Sequence, residues 1–269
     1  MHDVGTLPMA TDGTSQVRVE GVTLQYRTKD HVVTATHRVS FDVQAGDRFV
    51  LLGPSGCGKS TLLKAIGGFL RPEEGRILVR GVPVVRPGPD RIMVFQEFDQ
   101  LLPWKTVRQN VLFPLLASGR RRGREAAEVA DACIERVNLG RFADAFPHAL
   151  SGGMKQRVAI ARGLAMEPDV LLMDEPFAAL DALTRRRMQD ELLRLCAETR
   201  FTLVFVTHSI PEAVRVGSRI LLLSPHPGRV RAELNGDAAD PVGGDGLRIT
   251  ERIQRLLFAD EAAGAASDD

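Results

Sequence analysis

No apolar run in this chain reaches the roughly 18 residues that a membrane-spanning helix needs, so any membrane role has to come through a partner. Cysteine is scarce. Cys57, Cys133 and Cys196 are odd in number and far apart, which excludes a disulfide framework and a multi-cysteine metal pattern and fits a reducing cytosol. Neither sign of charge is in excess: 35 Lys and Arg stand against 34 Asp and Glu, a net +1. The whole-molecule field therefore selects neither nucleic acid nor an acidic substrate. Met1 to Ser15 lacks the basic-then-apolar order of a signal peptide and is expected to be a flexible leader. Aromatics are few, with one tyrosine, Tyr26, and one tryptophan, Trp104. There is no internal repeat. What the 269 residues do have is 44 % hydrophobic content, enough for an ordinary core in one large domain or a domain with a subdomain.

One octapeptide carries most of the chemistry. Gly53-Pro54-Ser55-Gly56-Cys57-Gly58-Lys59-Ser60 matches the phosphate-binding loop pattern at every fixed position. Arg48–Leu52 before it reads as a buried strand, and Lys59 through Thr61 to Ile66 after it reads as a helix. Glycines let successive N–H groups converge on one anion. The helix that follows aims the positive end of its dipole at the same place. Lys59 adds a full charge for the outer phosphates of a polyphosphate, and Ser60 offers a hydroxyl to Mg²⁺. Cys57, inside the loop and near a helix N-terminus, is in a setting that favours thiolate, so a bulky thiol reagent is expected to inactivate there.

The rest of the chain alternates. Val17–Glu20 and Val22–Tyr26 suggest antiparallel strands; Gly75–Gly81 and Ile92–Phe95 suggest two more. From Phe98 to about Ala165 the spacing turns helical, over Val107–Leu116 and Glu125–Val137, as in a helical subdomain inserted into an α/β core. The α/β pattern returns with a strand at Val170–Met173, a helix at Thr184–Thr199 and a strand at Thr202–Thr207. Residues 236–269 read as a tail with an amphipathic piece at Leu247–Phe258 and an acidic, disordered end from Asp260.

Polar residues follow directly on four apolar runs: Gly53, Gln96, Asp174 with Glu175, and His208. In a mostly parallel sheet, ligands bind at the carboxyl ends of the strands, so all four can converge on one ligand. Asp174 is a candidate second contact to Mg²⁺ beside Ser60, and Glu175 is a candidate base for an attacking water. Leu150-Ser151-Gly152-Gly153-Met154-Lys155-Gln156-Arg157 places an N-cap and two glycines at a helix start, where N–H groups stay open to an anion.

Together these motifs make the chain similar to the ATP-binding-cassette ATPases, over about Val17 to Val230. The resemblance implies an α/β P-loop NTPase core of RecA-like type, with an antiparallel β subdomain and an inserted α-helical subdomain at about 98–165, inside a nucleotide-binding domain at 16–235. It implies ATP and Mg²⁺ as cofactors and a second cassette as partner, paired head to tail. Ser151, Gly152 and Gly153 of one copy would then cover the γ-phosphate held by the other. By the same resemblance Gln96 reaches Mg²⁺ and senses the permease, Asp181 crosses the dimer interface, His208 contacts the γ-phosphate, and Tyr26 lies under adenine. Each has a plainer alternative: a surface amide, a helix N-cap, a strand-end histidine, and a half-buried strand residue.

A narrower resemblance links Phe95-Gln96-Glu97, Leu101–Trp104, Phe146-Pro147-His148, Asp181–Arg185 and Pro225–Arg229 to importers of nitrate, taurine and aliphatic sulfonates. It implies an integral membrane permease, an extracytoplasmic solute-binding protein, no nucleic acid, and a place on the cytoplasmic face of the membrane. Trp104 is either an anchor for the permease or packing within the helical region. Arg120–Arg124 is either a contact for lipid or permease or a solvated loop. Ala178-Ala179 before Leu180, and Ser209 after His208, depart from the family's usual residues. The rival reading, a soluble cassette ATPase on nucleic acid or ribosomes, calls for a long coiled coil before Ser151 or a second nucleotide domain, and the sequence has neither.

Overall fold

The two alternating runs near the start form a single strand. In the computed structural model, which describes residues 15–27, 31–95, 100–236 and 244–265, β1 (Ser15–Arg27) pairs antiparallel with β2 (Val32–Gln44). Val17 and Val19 are buried, then Val22 and Leu24. The change of parity falls at Gly21, whose φ is +59°, where the register with β2 slips. A bulge of this kind needs left-handed backbone, which glycine adopts without a Cβ penalty. β4 (Glu74–Val79) and the short β5 (Val82–Pro83) complete a four-stranded sheet, ordered β2-β1-β4-β5.

The second sheet has six strands. They are β3 (Arg48–Leu52), β6 (Arg91–Val94), β7 (Val170–Asp174), β8 (Thr202–Thr207), β9 (Arg219–Leu223) and β10 (Val230–Asn235), in the order β10-β9-β3-β8-β7-β6. Every pairing is parallel except β10 with β9. Pleating sends alternate residues to opposite cores. Phe49, Leu51, Leu172, Val204 and Val206 join Leu62, Leu63 and Ile66 of α1 (Lys59–Ile66) and the first sheet. Val50, Leu52, Leu171, Leu203 and Phe205 face the remaining helices. Strands buried on both faces read as continuous apolar runs, which is why they stand out in the sequence. The parallel order also brings Gly53, Asp174, Glu175 and His208 to one edge.

The inserted region holds α2 (Val107–Ala117), α3 (Gly123–Arg136) and α4 (Gly152–Ala165). They pack through Val111, Leu115, Ala130, Ile134, Val158 and Ala161. Thr106 caps α2 in a reciprocal box with Gln109. The fully buried Asn110 binds the loop before it. Its Oδ1 accepts from Leu102 N at 2.8 Å, and its Nδ2 donates to the carbonyls of Leu102, Lys105 and Thr106 at 3.0–3.1 Å. Trp104 rides on that loop and is 70 % exposed, so the packing role is set aside. The basic cluster is tied to its own surface: Arg120 to Met166 O, Arg121 to Glu125 and Glu167, Arg124 to Glu128. That geometry favours the solvated loop over a lipid or permease contact.

α5 (Ala182–Thr199) and β8 follow the expected order. α6 (Ile210–Val216), β9 and β10 go beyond it. α7 (Gly244–Ala265) contains the amphipathic piece expected at Leu247–Phe258. Ile253 is fully buried against the second core, with Ile249, Leu256 and Leu257 beside it. The helix also continues past Asp260, where disorder was expected; Ala259, Ala262 and Ala263 have strong helix propensity. Of the expected leader, residues 1–15, Ser15 instead opens β1, and residues 1–14 lie outside the described residues, as does Gln96.

Candidate active site

The phosphate-binding loop joins β3 to α1 as anticipated. Gly58 has φ +92°, and a Cβ there would lie 2.6 Å from Ala35 O; a Cβ on Gly53 would lie 2.8 Å from Cys57 Sγ. Both positions therefore require glycine. Lys59 is 5 % exposed, and its Nζ donates to Gly53 O at 2.7 Å and Pro54 O at 2.9 Å. Across the sheet edge, Ser60 Oγ donates to Asp174 Oδ1 at 2.7 Å. Burial pushes the Asp174 carboxyl up, while the Ser60 hydroxyl pulls it back. A hydroxyl and a carboxylate held this close suit a hard cation such as Mg²⁺ that completes its shell with phosphate and water oxygens. Among the described residues no group of three or more His, Cys, Asp or Glu side chains is arranged to hold a metal by itself, in keeping with such a shared shell.

Cys57 departs from expectation. It is fully buried, and burial pushes its thiol up more strongly than the Lys59 charge pulls it down. The helix N-terminus is outweighed by the apolar surroundings.

Glu175 follows β7 with φ +42°, and its N–H donates to Val206 O at 3.0 Å. Two residues on, Phe177 is fully buried against Phe205, with ring centroids 5.8 Å apart. That anchor holds the turn. Glu175 Oε2 lies 3.0 Å from His208 Nδ1, so the candidate base and the strand-end histidine are brought together. A buried network behind them escaped the sequence reading. Gln189 Nε2 donates to Glu212 Oε1 at 3.0 Å, Thr207 Oγ1 donates to Glu212 Oε2 at 2.5 Å, and Thr207 Oγ1 accepts from Ser209 N at 3.0 Å. The signal available was a glutamate four positions after His208, on the inner face of a short helix.

His208 lines a small cleft with Glu175, Thr207 and Glu212, while a separate, larger cavity of about 280 Å³ is walled by the phosphate loop, Thr61 and Glu175. Tyr26 stands at its far end, 41 % exposed, with its hydroxyl 2.8 Å from Thr61 Oγ1. His226, which the sequence reading passed over, lines the same cavity. Ser151, Gly152, Gly153 and Asp181 do not. Ser151 caps α4 by accepting from Met154 N at 3.3 Å. Asp181 caps α5 by accepting from Thr184 N at 3.0 Å, which holds its carboxyl below the usual range. Both are exposed, so capping leaves them open to a partner.

This geometry has close counterparts. The ABC transporter profile matches residues 36–178. A taurine import ATP-binding protein, TauB of Rhizobium johnstonii, is 52 % identical over 205 residues, 76 % of this chain and 78 % of that protein. The nitrate import ATP-binding protein NrtC of Synechococcus elongatus is 48 % identical over 190 residues, 70 % of this chain and 29 % of that longer protein. Among solved structures, the dimeric post-hydrolysis state of the ATP-binding cassette MJ0796 bound to ADP and Pi superposes with a TM-score of 0.72 at 35 % identity, covering 81 % of this chain and 98 % of that one. The family match over residues 36–178, together with relatives of this identity and coverage and a shared RecA-like fold, means that the chain belongs to the ABC transporter family, as an ATP-hydrolysing subunit that couples hydrolysis to transport.

Proposed function

We propose that this subunit powers the uptake of a small taurine-, sulfonate- or nitrate-type solute. It works as a head-to-tail pair of identical cassettes on the cytoplasmic face of a membrane permease, which an extracytoplasmic binding protein supplies. The relatives named for taurine and nitrate import support the solute class. The solved cassette dimers support the pairing. Among the described residues no helix is long and apolar enough to cross a membrane, so membrane attachment runs through the permease. The observation that carries the catalytic part is that the Ser60–Asp174 and Glu175–His208 pairs stand at one sheet edge, with Ser60 and Glu175 both lining one cavity.

Bound MgATP supplies the phosphoryl group and part of the charge compensation for its transfer. The chain's own groups do the rest. The loop N–H groups from Gly53 to Thr61 and the Lys59 ammonium bind the outer phosphates, and Ser60 and Asp174 hold the cation. Glu175 takes the proton of the attacking water. His208, bonded through Nδ1, keeps that carboxylate aimed and leaves Nε2 free toward the phosphate. Tyr26 provides the shelf for adenine. Gln96 is assigned to the cation and the permease. Its flank is well held: Gln100 bonds both the N–H and the carbonyl of Phe95, and Arg162 bonds Gln100 O at 2.7 Å. Ser151, Gly152, Gly153 and Asp181 serve the partner's nucleotide.

The test is reconstitution. The chain is co-expressed with its neighbouring permease and binding protein, placed in liposomes, and assayed for hydrolysis with taurine, an alkanesulfonate or nitrate outside. Stimulation by one of these solutes, with permease co-purifying, supports the reading. Hydrolysis stimulated by DNA or ribosomes, with no permease retained, overturns it.

A further inference from the structure

The hairpin between β9 and β10 is built into the wall of the nucleotide cavity. Ser224 closes it: its N–H donates to Arg229 O at 2.9 Å, and its Oγ accepts from Arg229 N at 3.0 Å. Gly228 seats it. The Gly228 N–H donates to Ala35 O and its carbonyl accepts from His37 N, both at 2.9 Å. A Cβ on Gly228 would lie 2.0 Å from Cys57 O. The hairpin is thus wedged between β2 and the phosphate loop, at a distance only glycine permits. Two residues earlier, the exposed His226 reaches the cavity. Tyr26 and Val33 line that cavity together with Ser55, Gly56 and Lys59. The first pair marks the end for a base and the second group the end for outer phosphates. A nucleotide bound across these residues carries its ribose between base and phosphates, inside the cavity that His226 also lines.

We propose that His226 is a nucleotide-contacting residue, donating a hydrogen bond from its imidazole to the ribose of a bound nucleoside polyphosphate. The assignment rests on the cavity being the ATP site. It adds a third side to that site, supplied by a hairpin far along the chain from both the phosphate loop and Tyr26.

Binding of ATP, ADP and inorganic tripolyphosphate to the full chain, measured by calorimetry in a phosphate-free buffer, tests it. Tripolyphosphate needs only the loop. His226→Ala is expected to weaken ATP and ADP by about three- to tenfold, the range for losing one hydrogen bond. It leaves tripolyphosphate affinity and the melting temperature as in the unaltered protein. His226→Asn, which keeps a donor, recovers part of the loss. Unchanged ATP and ADP affinity in His226→Ala overturns the proposal. So does an equal loss for tripolyphosphate, which would make the hairpin a prop for the loop. An unaltered protein that binds neither ATP nor tripolyphosphate would refute the site itself.

Discussion

Trp104→Ala separates assembly from stability. Trp104 is 70 % exposed, so the folded subunit covers about three-tenths of a side chain of ~250 Å². At ~25 cal/mol per Å², its own packing contributes at most about 2 kcal/mol, an upper bound because unfolded chains already bury some surface. For a chain of this size that lowers the melting temperature by no more than roughly 8 °C. The loop itself stays in place, because Asn110 holds it through backbone groups. Covering the remaining ~175 Å² with a partner is worth up to about 4 kcal/mol, and anchors of this kind cost 2 kcal/mol or more when truncated. The affinity of the subunit for its permease is therefore expected to fall by at least about thirtyfold, with ATP hydrolysis by the isolated subunit unchanged. Thermal unfolding of the purified subunit and surface-immobilised permease binding measure the two effects side by side. A melting temperature far below that bound, together with undiminished permease affinity in the folded fraction, would refute the docking role.

Glu175→Gln removes the proton acceptor and leaves the phosphate cradle whole; phosphate release should drop by about 10²- to 10⁴-fold while ATP still drives dimer formation on size exclusion. Turnover near that of the unaltered protein would rule Glu175 out as the base. Lys59→Ala should lose ATP affinity as well as turnover, since its ammonium meets the phosphates before and during transfer; calorimetry showing unchanged affinity would sink the loop assignment. All three thiols are buried and pushed up, Cys196 to about 12. A raised thiol stays protonated at pH 8 and reacts slowly, so iodoacetamide should label the native protein slowly there and faster as pH climbs, with Cys196 last. Prompt labelling of Cys57 at pH 7, read by mass spectrometry, would reinstate its thiolate.

What could be read in advance was whatever local spacing determines. Arg48–Leu52 and Val170–Asp174 stand out because a strand buried on both faces has no polar alternation to confuse. The loop and the start of α1 follow from eight contiguous positions, Gly53–Ser60. The bulge at Gly21 was harder, because two short runs of opposite parity look like two strands until their shared partner is seen. Ile210–Val216 is too short for a helical period, whereas Arg219–Leu223, an apolar run between Gly217-Ser218 and Ser224-Pro225, was legible as a strand and went unread. His226 reaches the cavity only through the contacts of Gly228 with Ala35, His37 and Cys57, which are set by tertiary packing. Cys57 misled for the same reason: the local rule about helix ends was sound, and burial from neighbouring strands outweighed it.

Lys59 carries one more consequence. Its two oxygen partners in the loop are the backbone carbonyls of Gly53 and Pro54. Carbonyl dipoles satisfy the ammonium's hydrogen bonds without cancelling its charge. The loop thus remains a cationic nest for any small tetrahedral anion, and sulfate or inorganic phosphate competes there with the nucleotide. An apparent ATP affinity measured in phosphate or sulfate buffer will be lower than one measured in chloride at the same ionic strength. Because a competitor is displaced by excess ligand and ionic screening is not, raising the ATP concentration will erase that difference at saturation.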